Sequence, residues 1–159
     1  MLSPIFLSHF SESDFPDILR FHQNTSEAEL RQAKGIPISL SQVADWLNNW
    51  HEQQGKTGII LAIRQIKTFQ IVGYVTLKFF MPERNKAEIG IAIIHGRRKG
   101  FATAAYNKIE KITHEEMKIN IIEARVINSN EPAKRFFLSN EFKLISTNRQ
   151  ESTFRKILE

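Results

Sequence analysis

The sequence has no cysteine among its 159 residues. Disulfide bonds, zinc sites built on thiolates and a cysteine nucleophile are therefore excluded, and any nucleophilic chemistry must use another group. Histidines are few, and they are scattered without the spacing of metal ligands, as His22, His51, His95 and His114 show. We therefore predict no metal site.

The sequence also lacks a long apolar run. None approaches the roughly 20 residues that a membrane-spanning helix requires, and the N-terminus has neither the basic stretch nor the apolar core of a signal peptide. We expect a cytoplasmic protein with no membrane partner. Two phosphate-binding motifs are missing as well, because no G-x-G-x-x-G occurs and Trp50 stands where a P-loop ending in Gly55-Lys56-Thr57 requires glycine.

What is present is ordinary globular composition with a basic balance. Hydrophobic residues make up 42% and charged residues 25% of the chain, which is typical of a soluble globular protein. A chain of this length predicts a single domain over residues 1–159. The net charge of +5 and the pI near 9.6 favour an anionic ligand, which could be a nucleic acid, a membrane surface or a phosphorylated cofactor.

Hydrophobic periodicity predicts a mixed order of helices and strands. Helical spacing marks residues 15–22, 39–54, 101–117 and 131–140, with the third segment the longest. Strand-like apolar runs cover residues 4–8, 59–66, 71–80, 87–94, 120–127, 142–147 and 152–158. The runs at 59–94 suggest an antiparallel meander, and Gly73 and Gly90 within them each suggest a bulge or a close approach. The polar stretch 23–38 is a candidate substrate-facing loop.

A basic turn at residues 96–100 joins a predicted strand directly to a predicted helix. Arg97, Arg98 and Lys99 form the densest basic cluster of the chain, and Gly100 follows them. The first N–H groups of a helix lack helical partners and carry the positive end of the helix dipole, so a phosphate placed there receives several hydrogen bonds. We interpret the turn as a cradle for a pyrophosphate; the alternative is a solvated basic turn.

The stretch Arg97-Arg98-Lys99-Gly100-Phe101-Ala102 resembles the signature of the Gcn5-related N-acetyltransferase (GNAT) superfamily. That signature reads Arg or Gln, two residues, Gly, one residue, then Gly or Ala. The resemblance extends over roughly residues 58–142: the run at 87–93 is similar to the family's central strand, and residues 130–142 are similar to its second cofactor motif. Residues 39–47 look like a helix of the branch that acetylates protein N-termini, including ribosomal ones.

The resemblance implies an α/β, single-domain GNAT-like fold, with a mixed, mostly antiparallel twisted sheet of six to seven strands flanked by about four helices. It also implies acetyl-coenzyme A as co-substrate. The pantetheine arm would lie between two splayed strands and bind backbone groups of Ile91, Ile93 and their neighbours, and Asn130 would contact the pantetheine side of the cofactor. The pyrophosphate contacts carry over to Arg97, Arg98, Lys99, Gly100, Phe101, Ala102 and Thr103. Arg98 stands where many relatives have glycine, and it reaches either a further phosphate or solvent.

Acetyl transfer to an amine needs a proton acceptor and a group that stabilises the oxyanion. By resemblance, Glu88 is the candidate general base, and the backbone N–H of Ile93 or a neighbour is the candidate oxyanion donor. The alternative for Glu88 is a structural role as an edge or paired carboxylate. Phe137 stands where the family often has a tyrosine that acts as general acid, so the leaving thiolate has no positioned acid, or Ser139 or water serves.

We therefore predict an acetyl-CoA-dependent N-acetyltransferase that acts on a primary amine, either a protein N-terminus or a small molecule, by direct attack in a ternary complex. The alternatives are a non-catalytic sensor of acyl-coenzyme A and a basic nucleic-acid-binding domain. We do not expect a nucleic-acid partner, and the oligomeric state is left open between monomer and homodimer. The sequence does not identify the acceptor, because acceptor loops vary most in such folds.

Overall fold

The computed structural model describes residues 3–23, 39–94 and 100–159, and every element named below lies in this part of the chain. The seven strands are β1 (Ile5–Ser8), β2 (Gly58–Gln65), β3 (Ile71–Phe79), β4 (Lys86–Ile93), β5 (Ile121–Ile127), β6 (Lys143–Thr147) and β7 (Glu151–Ile157). The four described α-helices are α1 (Phe15–Gln23), α2 (Leu40–Gln53), α3 (Phe101–Lys111) and α4 (Glu131–Ser139). The predicted mixed sheet with flanking helices is confirmed.

The strands form one sheet in the order β1-β2-β3-β4-β5-β7-β6. Every neighbouring pair is antiparallel except β4 and β5, which the chain connects through α3. The parallel pairing is short, because Lys86, Ala87 and Glu88 face residues 121–123 and the register ends there. Strand β4 goes on to Ile93 and β5 to Ile127. The two strands therefore separate beyond Glu88, which is the splay that the family resemblance implied.

Gly73 marks a bulge in β3, as the sequence predicted. Ile63 of β2 faces Gly73 while the next residue, Arg64, faces Ile71, so that Val72 is the extra residue. A Cβ atom on Gly73 would lie 2.1 Å from the carbonyl oxygen of Ala92, and only glycine allows β4 to approach so closely. Gly90 differs, because its pairing with Thr76 is regular. Its Cβ would instead meet the Thr76 Oγ1 atom at 2.8 Å.

Helices α3 and α4 cover one face of the sheet. The largest core cluster joins Tyr106 and Ile109 of α3 and Phe137 of α4 to inward residues of five strands. Helices α1 and α2 cover the opposite face through Ile18 and Leu47, but only against β2 and β3 and the end of β4. In the described chain that second cluster includes no residue of β5, β6 or β7. The part of this face formed by β5 and β7 carries charged side chains instead.

Helix α3 ends earlier than its periodicity predicts. Regular helix stops at Lys111, and a π turn follows at Ile112–Glu116, so that α2 with its 14 residues is the longest helix described. The N–H of Met117 donates to the carbonyl of Ile112, a spacing of five residues. The buried Thr113 hydroxyl donates to the Ile109 carbonyl at 2.6 Å, and such a bond to the preceding turn is known to distort helices.

Candidate active site

Glu88 is the last residue of β4 that pairs with β5, so its side chain stands where the two strands begin to separate. Its side chain is 21% exposed. Residues two apart in a strand share a face, so Glu88 lies on the same, open face of β4 as Lys86 and Gly90. Arg125 of β5 reaches this carboxylate with two nitrogens. Its Nε donates to Oε1 at 2.5 Å and its Nη2 to Oε2 at 3.4 Å. The proposed base is thus a paired carboxylate.

Arg125 lies two residues beyond Glu123, the register partner of Glu88. Its side chain is 53% exposed. The hydrogen bond that Arg125 donates to Glu88, supported by the charge of that carboxylate, raises the pKa of Arg125 above its ordinary value. A second carboxylate is close, because Arg125 Nη1 and Glu151 Oε1 are 3.8 Å apart. The guanidinium therefore stands between two acidic side chains from different strands.

A more buried ion pair lies beside this one. Glu123 is 6% exposed, and its Oε2 accepts from Arg155 Nε at 2.8 Å and from Arg155 Nη2 at 2.5 Å. Lys86 Nζ is 3.5 Å from the same oxygen. The side chains of β4, β5 and β7 on this face thus form one charged array, consisting of Lys86, Glu88, Glu123, Arg125, Glu151 and Arg155.

Of this array, only Glu88 was predicted from the sequence as a site residue. The sequence does carry a pattern that indicates the array. Charged residues alternate with others at positions 86 and 88 and at 123 and 125, and the polar residues 151, 153 and 155 continue the alternation in β7. Such alternation is typical of a strand with one open face. What it did not reveal is which of these side chains meet, since that depends on the register of strands far apart in the sequence.

The backbone of β4 presents alternate residues to its two neighbours. The N–H of Ile94 donates to the Val72 carbonyl at 2.6 Å, and the N–H of Phe80 donates to the Lys86 carbonyl at 2.9 Å. The backbone N–H and C=O groups of the even-numbered residues of β4 therefore point toward β3. The odd-numbered positions Ile91 and Ile93 face the side of β5, where register pairing has already ended. Both residues predicted to contact pantetheine lie on the edge that borders the splay.

Gly100 begins α3 in the left-handed conformation, with φ +80°. A Cβ there would meet nothing within 4 Å, so backbone conformation rather than space favours glycine. The N–H of Ala104 is the first to bond back within the helix, at 3.0 Å to the Gly100 carbonyl. The N–H groups of Phe101, Ala102 and Thr103 therefore have no partner in the helix. Arg97, Arg98 and Lys99 lie outside the described residues.

The first residues of α3 differ in burial, and this decides which side chains can contact a ligand. The Phe101 side chain is 5% exposed and belongs to a core cluster with Ile5 and Ile63. Ala102 is half-buried and Thr103 is exposed. Phe101 can thus contribute only its backbone to a ligand, whereas the hydroxyl of Thr103 is accessible from solvent.

Asn130 has a structural role at the start of α4. Its Oδ1 accepts from the N–H of Ala133 at 3.3 Å, which is the bond of an N-cap residue. Phe137, at the position of the family's tyrosine, is 6% exposed and packs edge-on against Phe142 with ring centroids 5.1 Å apart. The Ser139 hydroxyl donates to the Phe136 carbonyl at 2.8 Å, so its proton is already engaged.

Tyr106 lies in the same aromatic cluster. It is 1% exposed and packs edge-on against Phe142 at 5.6 Å. Burial raises its pKa, and the nearby Glu110 carboxylate raises it further. No described residue is within hydrogen-bonding geometry of its hydroxyl.

Helices of the described segments are all too short or too polar to cross a membrane, and the same segments hold no group of three His, Asp or Glu side chains placed to bind a metal ion.

The family model for the acetyltransferase (GNAT) domain matches residues 5–143. The chain therefore belongs to the GNAT acetyltransferase family. A search of curated protein sequences finds no relative that matches.

Solved structures share the fold over nearly the whole chain. A Vibrio cholerae protein provisionally described as a ribosomal-protein-serine acetyltransferase superposes with a TM-score of 0.82 at 16% identity, covering 99% of this chain and 95% of that one. A GNAT-family acetyltransferase from Bacillus anthracis gives 0.81 at 15% identity, covering 99% and 96%. The Campylobacter jejuni N-acetyltransferase PseH in complex with acetyl coenzyme A gives 0.74 at 16%, covering 98% and 99%.

Proposed function

We propose that this chain is, over residues 1–159, a single-domain N-acetyltransferase that moves the acetyl group of acetyl-CoA to a primary amine by direct attack in a ternary complex. The observation that carries the proposal is the separation of β4 from β5 immediately beyond Glu88, in a chain of the GNAT family. Beyond this point β4 has no register pairing with β5, beside a carboxylate on an open face; we call the space between the two strands the slot. An extended ligand arm can add to such an edge as a strand does.

The pyrophosphate of acetyl-CoA binds at the start of α3 in this proposal. The N–H groups of Phe101, Ala102 and Thr103 have no helical partners and lie at the positive end of the helix dipole. Gly100 keeps the approach free of a side chain. The basic residues Arg97, Arg98 and Lys99 come directly before it and supply further positive charge.

The pantetheine arm lies between β4 and β5. The backbone groups of Ile91 and Ile93 border that slot on the β4 side, as the alternation of β4 hydrogen bonds indicates. Asn130 approaches from the side of β5 and α4. Because its Oδ1 already caps α4, the amide nitrogen Nδ2 is the group that can donate to a pantetheine carbonyl.

The reaction forms a C–N bond and breaks the C–S bond of the thioester. The amine nitrogen attacks the carbonyl carbon, and a backbone N–H of β4 near Ile93 stabilises the oxyanion. Glu88 accepts the proton of the amine, through a water. Phe137 has no hydroxyl and the Ser139 proton is engaged, so the thiolate leaves without a positioned acid. An ordinary thiol has a pKa of about 8.5, which makes its thiolate an adequate leaving group.

One alternative has an observation in its favour. The absence of a hydroxyl at Phe137, together with the pairing of Glu88 to Arg125, would suit a protein that binds acyl-coenzyme A without efficient turnover. The acceptor is a small-molecule or peptide amine in the main proposal. The spermidine N-acetyltransferase SpeG from Vibrio cholerae shares the fold at 15% identity, which makes a polyamine one member of the test panel.

The proposal predicts that Glu88→Gln lowers acetyl transfer by about 10²-fold or more, since a positioned base contributes 10²–10⁴-fold. Release of coenzyme A thiol, read with a thiol reagent over a panel of alkylamines, polyamines and N-terminal peptides, measures turnover. The chain has no cysteine, so the protein adds no background. Glu83→Gln, which makes the same change on an exposed turn, is the control.

Three outcomes are distinguishable. Lost turnover with intact acetyl-CoA binding in Glu88→Gln supports both the reaction and the base. Equal turnover in Glu88→Gln and the unsubstituted chain contradicts the assignment of Glu88. Tight acetyl-CoA binding with no transfer to any amine of the panel favours the sensor.

A further inference from the structure

The carboxylate of Glu88 is already occupied before any acceptor arrives. Arg125 Nε and Nη2 contact both of its oxygens, at 2.5 and 3.4 Å. An acceptor amine at physiological pH is an ammonium ion, and it seeks the same oxygens. Arg125 and a cationic acceptor are therefore competitors for one site.

Arg125 has a second carboxylate within reach. Glu151 Oε1 is 3.8 Å from Arg125 Nη1, at the far side of the guanidinium from Glu88. The third acidic side chain of the array, Glu123, offers no such place, because Arg155 and Lys86 already share its Oε2 and its side chain is 8% exposed. Glu151 is 31% exposed. A small rotation of the Arg125 side chain can thus exchange Glu88 for Glu151 without leaving the charge unpaired.

The pair between Arg125 and Glu88 is also the more displaceable of the two on this face. The Arg125 side chain is 53% exposed, whereas that of Arg155 is 36% exposed against an almost fully buried partner. Ion pairs with a solvent-exposed partner are weak because water and salt screen them, and a competing cation can replace them. Breaking a buried pair is far more costly.

We propose that Arg125 is a displaceable cap on Glu88, which the protonated acceptor amine replaces while the guanidinium moves onto Glu151. The inference rests on the proposed function and specifies its acceptor as a cationic amine. The ammonium binds first at Glu88. Its first proton passes through water to the carboxylate and on to solvent, and the neutral amine attacks; the second N–H proton leaves the tetrahedral intermediate through the regenerated carboxylate as the C–S bond breaks and the thiolate departs. Arg125 is in this account a specificity-determining residue, since a neutral ligand gains nothing by displacing it.

The kinetic test compares Arg125→Met with the unsubstituted chain on an accepted amine. Removing the competitor lowers KM for the amine by about two- to fivefold, the range that an exposed ion pair corresponds to, with a smaller change in kcat. Glu151→Gln raises KM, because the displaced guanidinium loses its second partner. Arg135→Met, which removes the same charge from an exposed position on helix α4, is the matched control and leaves KM unchanged. A raised KM in Arg125→Met overturns the proposal and assigns the guanidinium to an anionic group of the acceptor; an unchanged KM also overturns it.

A second measurement does not depend on turnover. The Nε–H proton of Arg125 is identified by NMR from its loss in Arg125→Met, and propylammonium chloride is titrated against sodium chloride at equal ionic strength. The inference predicts that this resonance shifts with propylammonium and not with sodium, and that the shift is smaller in Glu151→Gln. An equal response to both salts overturns it. If no amine is acetylated but the shift is observed, the acetyltransferase proposal fails while the binding of amines at Glu88 stands.

Discussion

At the scale of single residues, the two tyrosines are the most informative ionisable groups after Glu88. The chain has only Tyr74 and Tyr106, and they are 6% and 1% exposed on opposite faces of the sheet. Burial raises the pKa of both above the ordinary value of about 10. The folded state therefore retains two protons that the unfolded chain releases above that pH.

This difference predicts loss of stability in alkali. A folded pKa above the unfolded one gives stability that is complete below pH about 10 and is lost as the pH rises further, by about 1.4 kcal/mol per pH unit for each tyrosine. Ultraviolet titration should show no tyrosinate in the folded protein near pH 10, and its absorbance should rise only with unfolding. Tyr74→Phe and Tyr106→Phe should each reduce that slope. Reversible ionisation of both tyrosines near pH 10 in the folded chain would disprove the burial argument.

At the scale of the elements, the start of α3 is the feature on which the cofactor assignment depends. Gly100 has φ +80° and open space around it. Asparagine and aspartate are among the residues that best tolerate this left-handed conformation, and they have nearly the same shape but a different charge. Gly100→Asn and Gly100→Asp are therefore a matched pair in which conformational strain is held nearly constant.

Comparison of Gly100→Asn with Gly100→Asp separates the effect of the added charge on acetyl-CoA binding from the effect of the added side-chain volume. A negative charge about 5 Å from a pyrophosphate costs on the order of 1–3 kcal/mol at the effective dielectric of a protein surface, so Gly100→Asp should bind acetyl-CoA at least about fivefold more weakly than Gly100→Asn. Calorimetric titration of both variants measures this, and thermal unfolding checks that both are folded. Equal affinities would show that the pyrophosphate lies elsewhere.

Most helices and strands could be predicted from local patterns, because periodicity and turn residues act over a few residues. The strand predicted at 120–127 forms at Ile121–Ile127, and the helix predicted at 131–140 forms at Glu131–Ser139. The π turn after Lys111 could not be predicted, since the apolar periodicity continues through it and the Thr113 hydroxyl bond that accompanies it leaves no mark in that pattern. The absence of a bulge at Gly90 likewise depends on its neighbour in β3.

The candidate site was only partly predictable for a related reason. Glu88 stands out because it is a carboxylate in an apolar run, which is a local property. Its partner Arg125 lies 37 positions away, and Glu151 lies on a third strand that enters the sheet between β5 and β6. Such contacts follow from strand order and register, which alternating charge alone does not determine.

At the scale of the whole molecule, the helices of the described residues cover the two faces of the sheet unequally. On one face, α3 and α4 pack against residues of β2, β3, β4, β5 and β7, whereas on the opposite face α1 and α2 pack only against β2, β3 and the end of β4. The rest of that opposite face contains a charged array of three cations and three anions, Lys86, Arg125 and Arg155 with Glu88, Glu123 and Glu151. Because this array is balanced, the net charge of +5 resides elsewhere, and residues 97–99 contribute three of its positive charges.

The proposed reaction depends on acetyl-CoA binding across the start of α3 and the slot between β4 and β5. This binding is measured by calorimetric titration with acetyl-CoA, with 3′-dephospho-coenzyme A and ADP as comparison ligands. We expect affinity in the micromolar range, about −8 kcal/mol, that is largely kept by 3′-dephospho-coenzyme A and largely lost with ADP, which has no pantetheine arm. Absence of binding, or equal binding of ADP, would contradict the proposal.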